Sequence, residues 1–355
     1  TSGNNVGVGY ASLGTNILSS KNVAVGNNSL KTHNLASAGD GLNVAVGHGA
    51  GEEVTTGTAN TLIGSTAGDA LTEGASNAVL GRDALSADTK GSRAVAIGEA
   101  ALQAQNFTSA TENYNVAIGY ASGANVTTGV QNTLIGGLAG DALTTAVNNI
   151  AIGYKALTAD TLGRKNVAIG VGALEDQNFT SATDSYNVAI GDNAGANVTT
   201  GTGNTLVGSL AGDALTDADR NIAIGYLALP ADTLGSRSIA IGIGALEVQN
   251  FTSATNTYNI AVGYDTGNSI ETGVKNTLIG GLAGETITTG DYNVIVGYSN
   301  QSAAVGTDAQ IIIGQSVTGV GANNFTFGNG ATDSNIAFGA TSITAPSDQR
   351  YKEEI

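Results

Sequence analysis

The sequence predicts an all-β chain, a parallel β-solenoid or β-roll, and two nested periods are the main reason. A short apolar segment that ends in glycine, such as NVAIG at positions 166–170, recurs from Gly9 to Gly314. Successive closing glycines are separated by a 17-residue step thirteen times and by a 21-residue step four times, and four such rungs make a 72-residue super-repeat. Fixed periods of about 20 residues are typical of a solenoid, in which each turn buries its apolar face only against its neighbours.

The composition narrows the partners that such a chain can have. The 355 residues include 13 Lys and Arg against 29 Asp and Glu, which gives a net charge of −16. Such a surface repels nucleic acid and anionic lipid. There is no cysteine, there are two histidines, and no run of 18 apolar residues occurs. We therefore expect no disulfide, no nucleic-acid partner and no membrane insertion. The chain starts without Met, so we expect it to be a piece of a longer protein.

The apolar segment of each rung reads as a strand when it is aligned on its closing glycine. Position −1 is Val, Ile or Leu in all eighteen rungs, and position −2 is mostly Ala and never polar. Alternate strand residues point to opposite faces, so an apolar run indicates that both faces are buried. The interior of the coil covers one face. The small alanines suggest that another copy covers the other face, and a closed homotrimer is the natural assembly for a fibre. We expect either Ala117, Ala151, Ala168 and Ala189 or their neighbours at positions −1 and −3 to line the contact between the three chains.

Position −4 is Asn in fifteen of the eighteen rungs, which predicts a ladder of stacked side-chain amides along the solenoid. The predicted ladder contains Asn115, Asn132, Asn149, Asn166, Asn187, Asn204 and Asn221. After the glycine, position +3 is usually Ala, as in Ala84 and Ala156, followed by Leu or Gly. We interpret this segment as a second, shorter strand.

Acidic residues raise the question of catalysis. Asp88, Asp160 and Asp232 share one position of the super-repeat, and Asp69, Asp141, Asp213 and Glu285 share another. Paired carboxylates can hydrolyse glycosides. An active site is a singular constellation, however, whereas these acids are copied with the period. The sequence also lacks a glycine-aspartate calcium repeat, and we expect neither a cofactor nor a metal.

The most distinctive surface element is the long loop of the 21-residue rungs. The segment NFTSAT begins at Asn106 and is copied at Asn178 and Asn250, and a tyrosine follows each copy. Two interpretations stay open: the aromatic rings form a local core under the loop, or they form a row of weak contacts for a repetitive target. The residues concerned are Phe107, Tyr114, Phe179, Tyr186, Phe251 and Tyr258.

The period decays toward the end of the chain, which predicts three regions. The repeat shaft occupies positions 1–314, and a tapering β transition occupies positions 315–346, where the spacing between the glycines at 314, 328 and 339 becomes progressively shorter. The start of another domain occupies positions 347–355.

That last segment, SDQRYKEEI, resembles the opening of the intramolecular chaperone auto-processing domain of phage tail spikes, tail fibres and endosialidases. The family pattern Ser-Asp-x-Arg-x-Lys is matched by Ser347, Asp348, Arg350 and Lys352. The resemblance covers about nine residues. It implies that the domain trimerises the chain and then cuts itself off, with Ser347 as nucleophile, Lys352 as its base and cleavage before Asp348. A lysine made neutral by its surroundings can accept a serine proton.

The rungs themselves, from about position 4 to position 314, resemble the head of trimeric autotransporter adhesins, whose rungs read Asn-Ser-Val-Ala-Ile-Gly. That resemblance implies a trimeric parallel β-roll, with longer loops in this chain. Both resemblances imply a homotrimer outside the cell.

The resulting hypothesis is a structural and adhesive fibre of a phage tail that holds or forms the host receptor-binding device. Its expected partners are two further copies of the chain, phage tail or baseplate proteins, and a host cell-surface glycan or protein. Its expected location is the virion tail. One alternative is the head of a trimeric adhesin on the bacterial cell surface. Another, from a different class, is a polysaccharide-degrading tail spike.

Overall fold

A computed structural model describes residues 3–340, and over that range the chain consists of strands and turns without a helix. It confirms the predicted fold class: parallel strands stack rung upon rung as a β-solenoid. The chain divides into two compact units, one that ends at Tyr186 and one that begins at Asn187.

In the first unit, ten three-residue strands form one parallel ladder. They are Val6–Val8, Val23–Val25, Val44–Val46, Thr61–Ile63, Ala78–Leu80, Val95–Ile97, Val116–Ile118, Thr133–Ile135, Ile150–Ile152 and Val167–Ile169. Their register follows the sequence period, because Val6 pairs with Val23 and Val23 pairs with Val44. Six two-residue strands pair at a second edge: Ser19–Ser20, Gly39–Asp40, Gly91–Ser92, Thr111–Glu112, Gly163–Arg164 and Thr183–Asp184.

The second unit continues the same pattern and then changes it. Its ladder contains Val188–Ile190, Thr205–Val207, Ile222–Ile224, Ile239–Ile241, Ile260–Val262, Thr277–Ile279, Val294–Val296, Ile311–Gly314, Asn324–Gly328 and Ser334–Ala337. One short pair, Gly235–Ser236 with Thr255–Asn256, lies at the second edge. The strand Asn324–Gly328 still pairs in parallel, but Ser334–Ala337 pairs with it antiparallel. The last described strand therefore forms a hairpin on the ladder.

The closing glycines stack directly on one another, which explains why no other residue occupies these positions. At Gly64, φ is +139°, a region that residues with a Cβ rarely adopt. A Cβ there would also overlap the carbonyl group of Gly81 in the next rung. The glycine thus meets two requirements at once, a left-handed corner and a close backbone contact.

The interior of each unit is narrow, and position −2 lies inside it. Ala117, Ala151, Ala168 and Ala189 are fully buried within their own chain. The expectation that these alanines face another copy is therefore wrong. Their size suits a thin interior, and the residues at positions −1 and −3 point outward instead.

The second strand predicted after the glycine is also wrong, because that segment is a turn. Leu85 and Leu157 adopt φ of 52° and 56°, outside the β region. Rungs still hydrogen-bond here, since Leu85 N donates to Ala101 O at 3.0 Å. The Ala and Leu side chains of this turn are fully buried and fill the interior opposite the ladder.

Candidate functional site

The asparagines at position −4 form a buried hydrogen-bonded ladder. The backbone N of Asn132, Asn149 and Asn166 each donates to the Oδ1 of the preceding ladder residue at 3.0 Å. The Nδ2 of Asn149 donates to Gly163 O at 2.9 Å. In the second unit, Asn187 Oδ1 accepts from Asn204 N, and Asn204 Oδ1 accepts from Asn221 N, both at 2.9 Å. This arrangement uses both ends of each amide on backbone groups, which is a structural role.

A second buried polar band runs beside the ladder, at position +7. Asp88 Oδ1 accepts from Gly91 N at 3.0 Å and from Phe107 N at 3.1 Å. Its Oδ2 accepts from Gln105 Nε2 at 2.7 Å, and Gln105 Oε1 accepts from Asn115 Nδ2 at 2.8 Å. Burial raises the pKa of Asp88, and these hydrogen bonds offset part of the rise. The carboxylate thus anchors the enlarged loop.

Asp160 and Asp232 accept the equivalent hydrogen bonds from the backbone and from a glutamine, and burial raises their pKa values too. All three carboxylates are fully buried and engaged with the backbone, so they are not presented to a substrate. Sequence reasoning did not identify the glutamines at 105, 177 and 249. The available signal was that position +7 carries Val or Leu in the other rungs of the same super-repeats.

Asp69 and Asp213, in the other acidic column, are half-buried, and burial raises the pKa of both. Within residues 3–340, no cluster of three or more His, Cys, Asp or Glu side chains has a geometry that could hold a metal ion.

The structure separates the aromatic residues of the long loops into two groups. Phe107, Phe179 and Phe251 are only 6–7% exposed, so they pack under the loops and are not surface contacts. Tyr114, Tyr186 and Tyr258 are exposed, and a cation lies over each ring at 5.0–5.5 Å from its centroid. Only the tyrosines of this predicted set are therefore available to a partner.

The tyrosines take part in short surface networks. Arg93 Nη1 donates to Tyr114 OH at 2.9 Å, and the hydroxyl donates to Glu112 Oε2 at 2.6 Å. In the next copy, Lys165 Nζ donates to Tyr186 OH at 3.0 Å and pairs with Asp184 at 2.7 Å. In both of these networks, the cation is already paired with a carboxylate.

The outer face of each ladder is apolar and half-exposed along its length. It is formed by positions −3 and −1, such as Val167 and Ile169, whose neighbours along the column are mostly Val, Ile, Leu or Thr. Tyrosines follow several closing glycines at position +1 and are strongly exposed: Tyr10, Tyr120, Tyr154, Tyr226, Tyr264 and Tyr298. Sequence reasoning did not single out these tyrosines, although their shared position after the glycine was visible.

The predicted self-processing pair, Ser347 and Lys352, lies outside the described residues. No helix among residues 3–340 is long and apolar enough to cross a membrane. Comparison with protein-family models, with curated proteins and with solved structures returned no match.

Proposed function

We propose that this chain is the shaft of a homotrimeric phage tail fibre, which acts outside the cell and holds or forms a host receptor-binding device. The observation that carries the proposal is the apolar outer face of the strand ladders. A soluble monomer rarely exposes a continuous apolar patch of this extent.

The burial pattern supports association through this face. The interior of one chain buries position −2 from Ala24 to Ile312 to within 1%, whereas Ile150, Ile190, Ile224 and Ile279 on the outer face stay 37–41% exposed. Parallel β-sheets normally have both faces covered. A second and third copy that face a common axis would cover the outer columns, and each rung would then contribute equally to the contact.

The assembly is tested by measuring molar mass. Multi-angle light scattering on the purified chain should give three times the 35.0 kDa of one chain. Changing Ile152 and Ile169 to Lys places charges on two adjacent rungs of the outer face. We expect this variant to dissociate, because unpaired charges in an apolar interface are costly.

The control for this experiment adds the same charge elsewhere. Ser109→Lys with Ser181→Lys modifies two exposed loops and should leave the mass unchanged. A parent chain that remains monomeric at micromolar concentration would remove the proposal.

The phage assignment rests on the resemblance of positions 347–355 to a chaperone auto-processing domain. It is tested by expressing the protein from its full reading frame. The parent protein should give two fragments on a denaturing gel, whereas the Ser347→Ala and Lys352→Ala variants should each give one band. Cleavage that persists in Ser347→Ala contradicts the assignment.

The head of a bacterial trimeric adhesin is the second candidate, because the NVAIG-type rungs and the apolar outer face suit it equally. A coiled coil and a membrane barrel encoded after the repeats would favour the adhesin. The third candidate, a polysaccharide-degrading spike, gains no support from the buried carboxylates at Asp88, Asp160 and Asp232.

A further inference from the structure

Five consecutive rungs of the second unit carry a row of cations and tyrosines at one corner. The row occupies position −5, and its members are Arg220, Arg237, Tyr258, Lys275 and Tyr292. All five residues have a left-handed φ, between 52° and 66°. The backbone N–H groups of the three cations and of Tyr292 donate to the neighbouring rung, as Arg237 N does to Asp219 O at 3.0 Å. The side chains are therefore held one rung apart, at about 4.8 Å.

The cations of this row differ from those of the first unit in their partners. In the first unit, Lys21, Arg93 and Lys165 occupy the same corner, and each pairs with a carboxylate at 2.7 Å. Within the described residues, none of the three cations of the row has a carboxylate oxygen within 4.0 Å of its side-chain nitrogens. A chain of net charge −16 thus places together three cations that form no ion pair with any described residue.

Among residues 3–340, Arg237 forms no ion pair because of one residue difference between copies of the super-repeat. Glu112 and Asp184 supply the carboxylates for Arg93 and Lys165, and one super-repeat after Asp184 the chain has Asn256. Arg237 consequently lacks the acid that its counterparts have. The row is also extended, because one super-repeat before Arg220 and Lys275 the chain has the uncharged residues Asn148 and Gly203. This departure from the period makes the row singular in the sequence.

The acids nearest in sequence are occupied by backbone groups. Asp219 Oδ1 accepts from Thr202 N at 2.7 Å, and Asp291 Oδ1 accepts from Val274 N at 2.8 Å. They fix the rungs in register, and neither forms an ion pair with a cation of the row.

The two tyrosines add flat, exposed surfaces beside the charges: Tyr258 lies between Arg237 and Lys275, and Tyr292 ends the row. Tyr258 and Tyr292 are 46% and 55% exposed. Arg237 lies over Tyr258 with 5.5 Å between its Cζ and the ring centroid, and Lys275 Nζ lies 4.6 Å from the centroid of Tyr292. Lys275 Nζ also donates to Tyr292 OH at 2.8 Å. These contacts hold the cations in place at the surface.

We propose that this row binds a linear acidic polysaccharide, with the sugar carboxylates on Arg220, Arg237 and Lys275 and the sugar rings on the tyrosines. A row over five rungs spans roughly 19 Å, which fits a few sugar units of an extended chain. Tyrosine suits this contact because it offers an apolar ring face and a polar tip. The acidic surface around the row repels polyanions in general. Binding therefore requires that the carboxylates of the polysaccharide meet the cations of the row and that its sugar rings meet the tyrosines. The inference deepens the proposed attachment role and rests on it for its biological meaning.

The test uses the full chain and two labelled probes, oligogalacturonate and oligosialic acid, in a fluorescence anisotropy titration. The chain should bind at least one probe, and binding should weaken as salt increases. Asn256→Asp should weaken it at least tenfold, because the new carboxylate pairs with Arg237 as Asp184 pairs with Lys165. Lys275→Gln with Arg220→Gln should abolish it.

The matched control is Arg93→Gln, which changes the net charge by the same amount as Asn256→Asp but lies in the first unit. It should bind like the parent. The proposal is overturned if neither probe binds, if Asn256→Asp binds as well as the parent, or if polyglutamate or single-stranded DNA of equal charge binds equally. Light scattering on the same samples separates the two proposals. If the chain is monomeric and binds a probe, only the proposed trimer is contradicted. If the chain is trimeric and binds neither probe, only the proposed polysaccharide site is contradicted.

Discussion

Single residues in the interior matter for their hydrogen bonds as much as for their size. An asparagine at position −4 offers an acceptor to the next rung and a donor to a turn carbonyl, and no apolar residue can do both. Ala94 breaks this rule without leaving Asn115 N unpaired, because Asn113 Oδ1 accepts from Asn115 N at 2.9 Å in its place. The enlarged loop thus supplies the acceptor that the ladder lacks.

Removing one ladder amide should be costly. Asn149→Ala leaves Asn166 N and Gly163 O without the partners that they have now. Each stranded buried group costs about 1–3 kcal/mol, so chemical denaturation should show a loss of a few kcal/mol. Asn125→Ala removes an exposed amide that bonds to Asp141 O, and it should change stability by no more than about 0.5 kcal/mol. Equal effects of the two changes would contradict a stabilising role of the ladder.

His33 should make one rung sensitive to acid. It is fully buried at the position where the next super-repeat has Gln105, and its Nε2 lies 2.8 Å from Ser19 Oγ. Burial lowers the pKa of His33 from 6.5, so the unfolded chain binds the proton more readily than the folded one. Stability is therefore present above pH 6.5 and is lost as the pH falls from there through the lowered pKa.

His33→Gln should remove this loss, because glutamine serves in the equivalent rungs and does not titrate. Denaturation midpoints measured from neutral pH downward would show it, with His48→Gln as the control at an exposed position. The buried aspartates act with the opposite sign: since burial raises the pKa of Asp88, its penalty is relieved as the pH falls toward 3.8. A parallel pH dependence of parent and His33→Gln would contradict the prediction.

At the scale of one rung, the sequence predicts the strand register better than it predicts which face of a strand points into the interior. The 17-residue and 21-residue steps predicted the pairing of Val6 with Val23 and of Val23 with Val44. They could not show which face of a three-residue strand points inward, because both faces are apolar and only the volume of the interior decides. The turn after the glycine was mistaken for a strand, since left-handed Leu85 is not a residue type that signals such a backbone.

The candidate site could be predicted only in part. The super-repeat indicated Tyr258 as a candidate binding residue, but its role depends on which charged residues surround it. The exchange of Asp184 for Asn256 was visible in the sequence, yet its meaning depended on knowing that these residues lie beside the cation at position −5. Burial of Phe107 was likewise open until the loop was seen to fold over it.

Two adjacent glycines give a sharp test of the rung geometry. Gly136 has φ of +134°, and a Cβ there would overlap the carbonyl of Gly153. Gly137 has an ordinary φ, and a Cβ there would lie 3.6 Å from Tyr154 Cδ2, a normal contact. Gly136→Ala should lose at least about 1–3 kcal/mol through backbone strain, with the overlap added. Gly137→Ala should change stability by less than about 1 kcal/mol. Thermal unfolding followed by circular dichroism would measure both, and similar melting temperatures would contradict the stacking at Gly136.

At the scale of the molecule, the structural unit is the set of four rungs. Its members differ in how they fill the interior: Gly51 leaves room for Leu62 of the next rung, because a Cβ on Gly51 would lie 2.6 Å from Leu62 Cδ1. The same relation recurs between Gly123 and Leu134. A small residue on one rung thus faces a large residue on its neighbour, and each rung fits a particular neighbour.

Deleting one whole super-repeat should therefore be tolerated. Removal of residues 48–119 joins Gly47 to Tyr120, so that Val44–Val46 would stack on Thr133–Ile135 as Val116–Ile118 does now. Stability in repeat proteins depends on contacts between neighbouring units, and all contacts at the new junction are of types already present. We expect a cooperative transition with a melting temperature close to that of the parent. Removal of residues 48–64 deletes a single 17-residue rung and keeps the strand period, but it takes Leu62 away from Gly68, where a Cβ would lie 3.0 Å from Leu62 Cδ2, and leaves the smaller Ala45 in the place of Leu62. The shorter deletion should be the more destabilising of the two, since it creates a mismatched interior that the longer one avoids. If the variant that lacks one rung has the higher melting temperature of the two, the super-repeat reflects sequence duplication alone, and the single rung is the unit of folding.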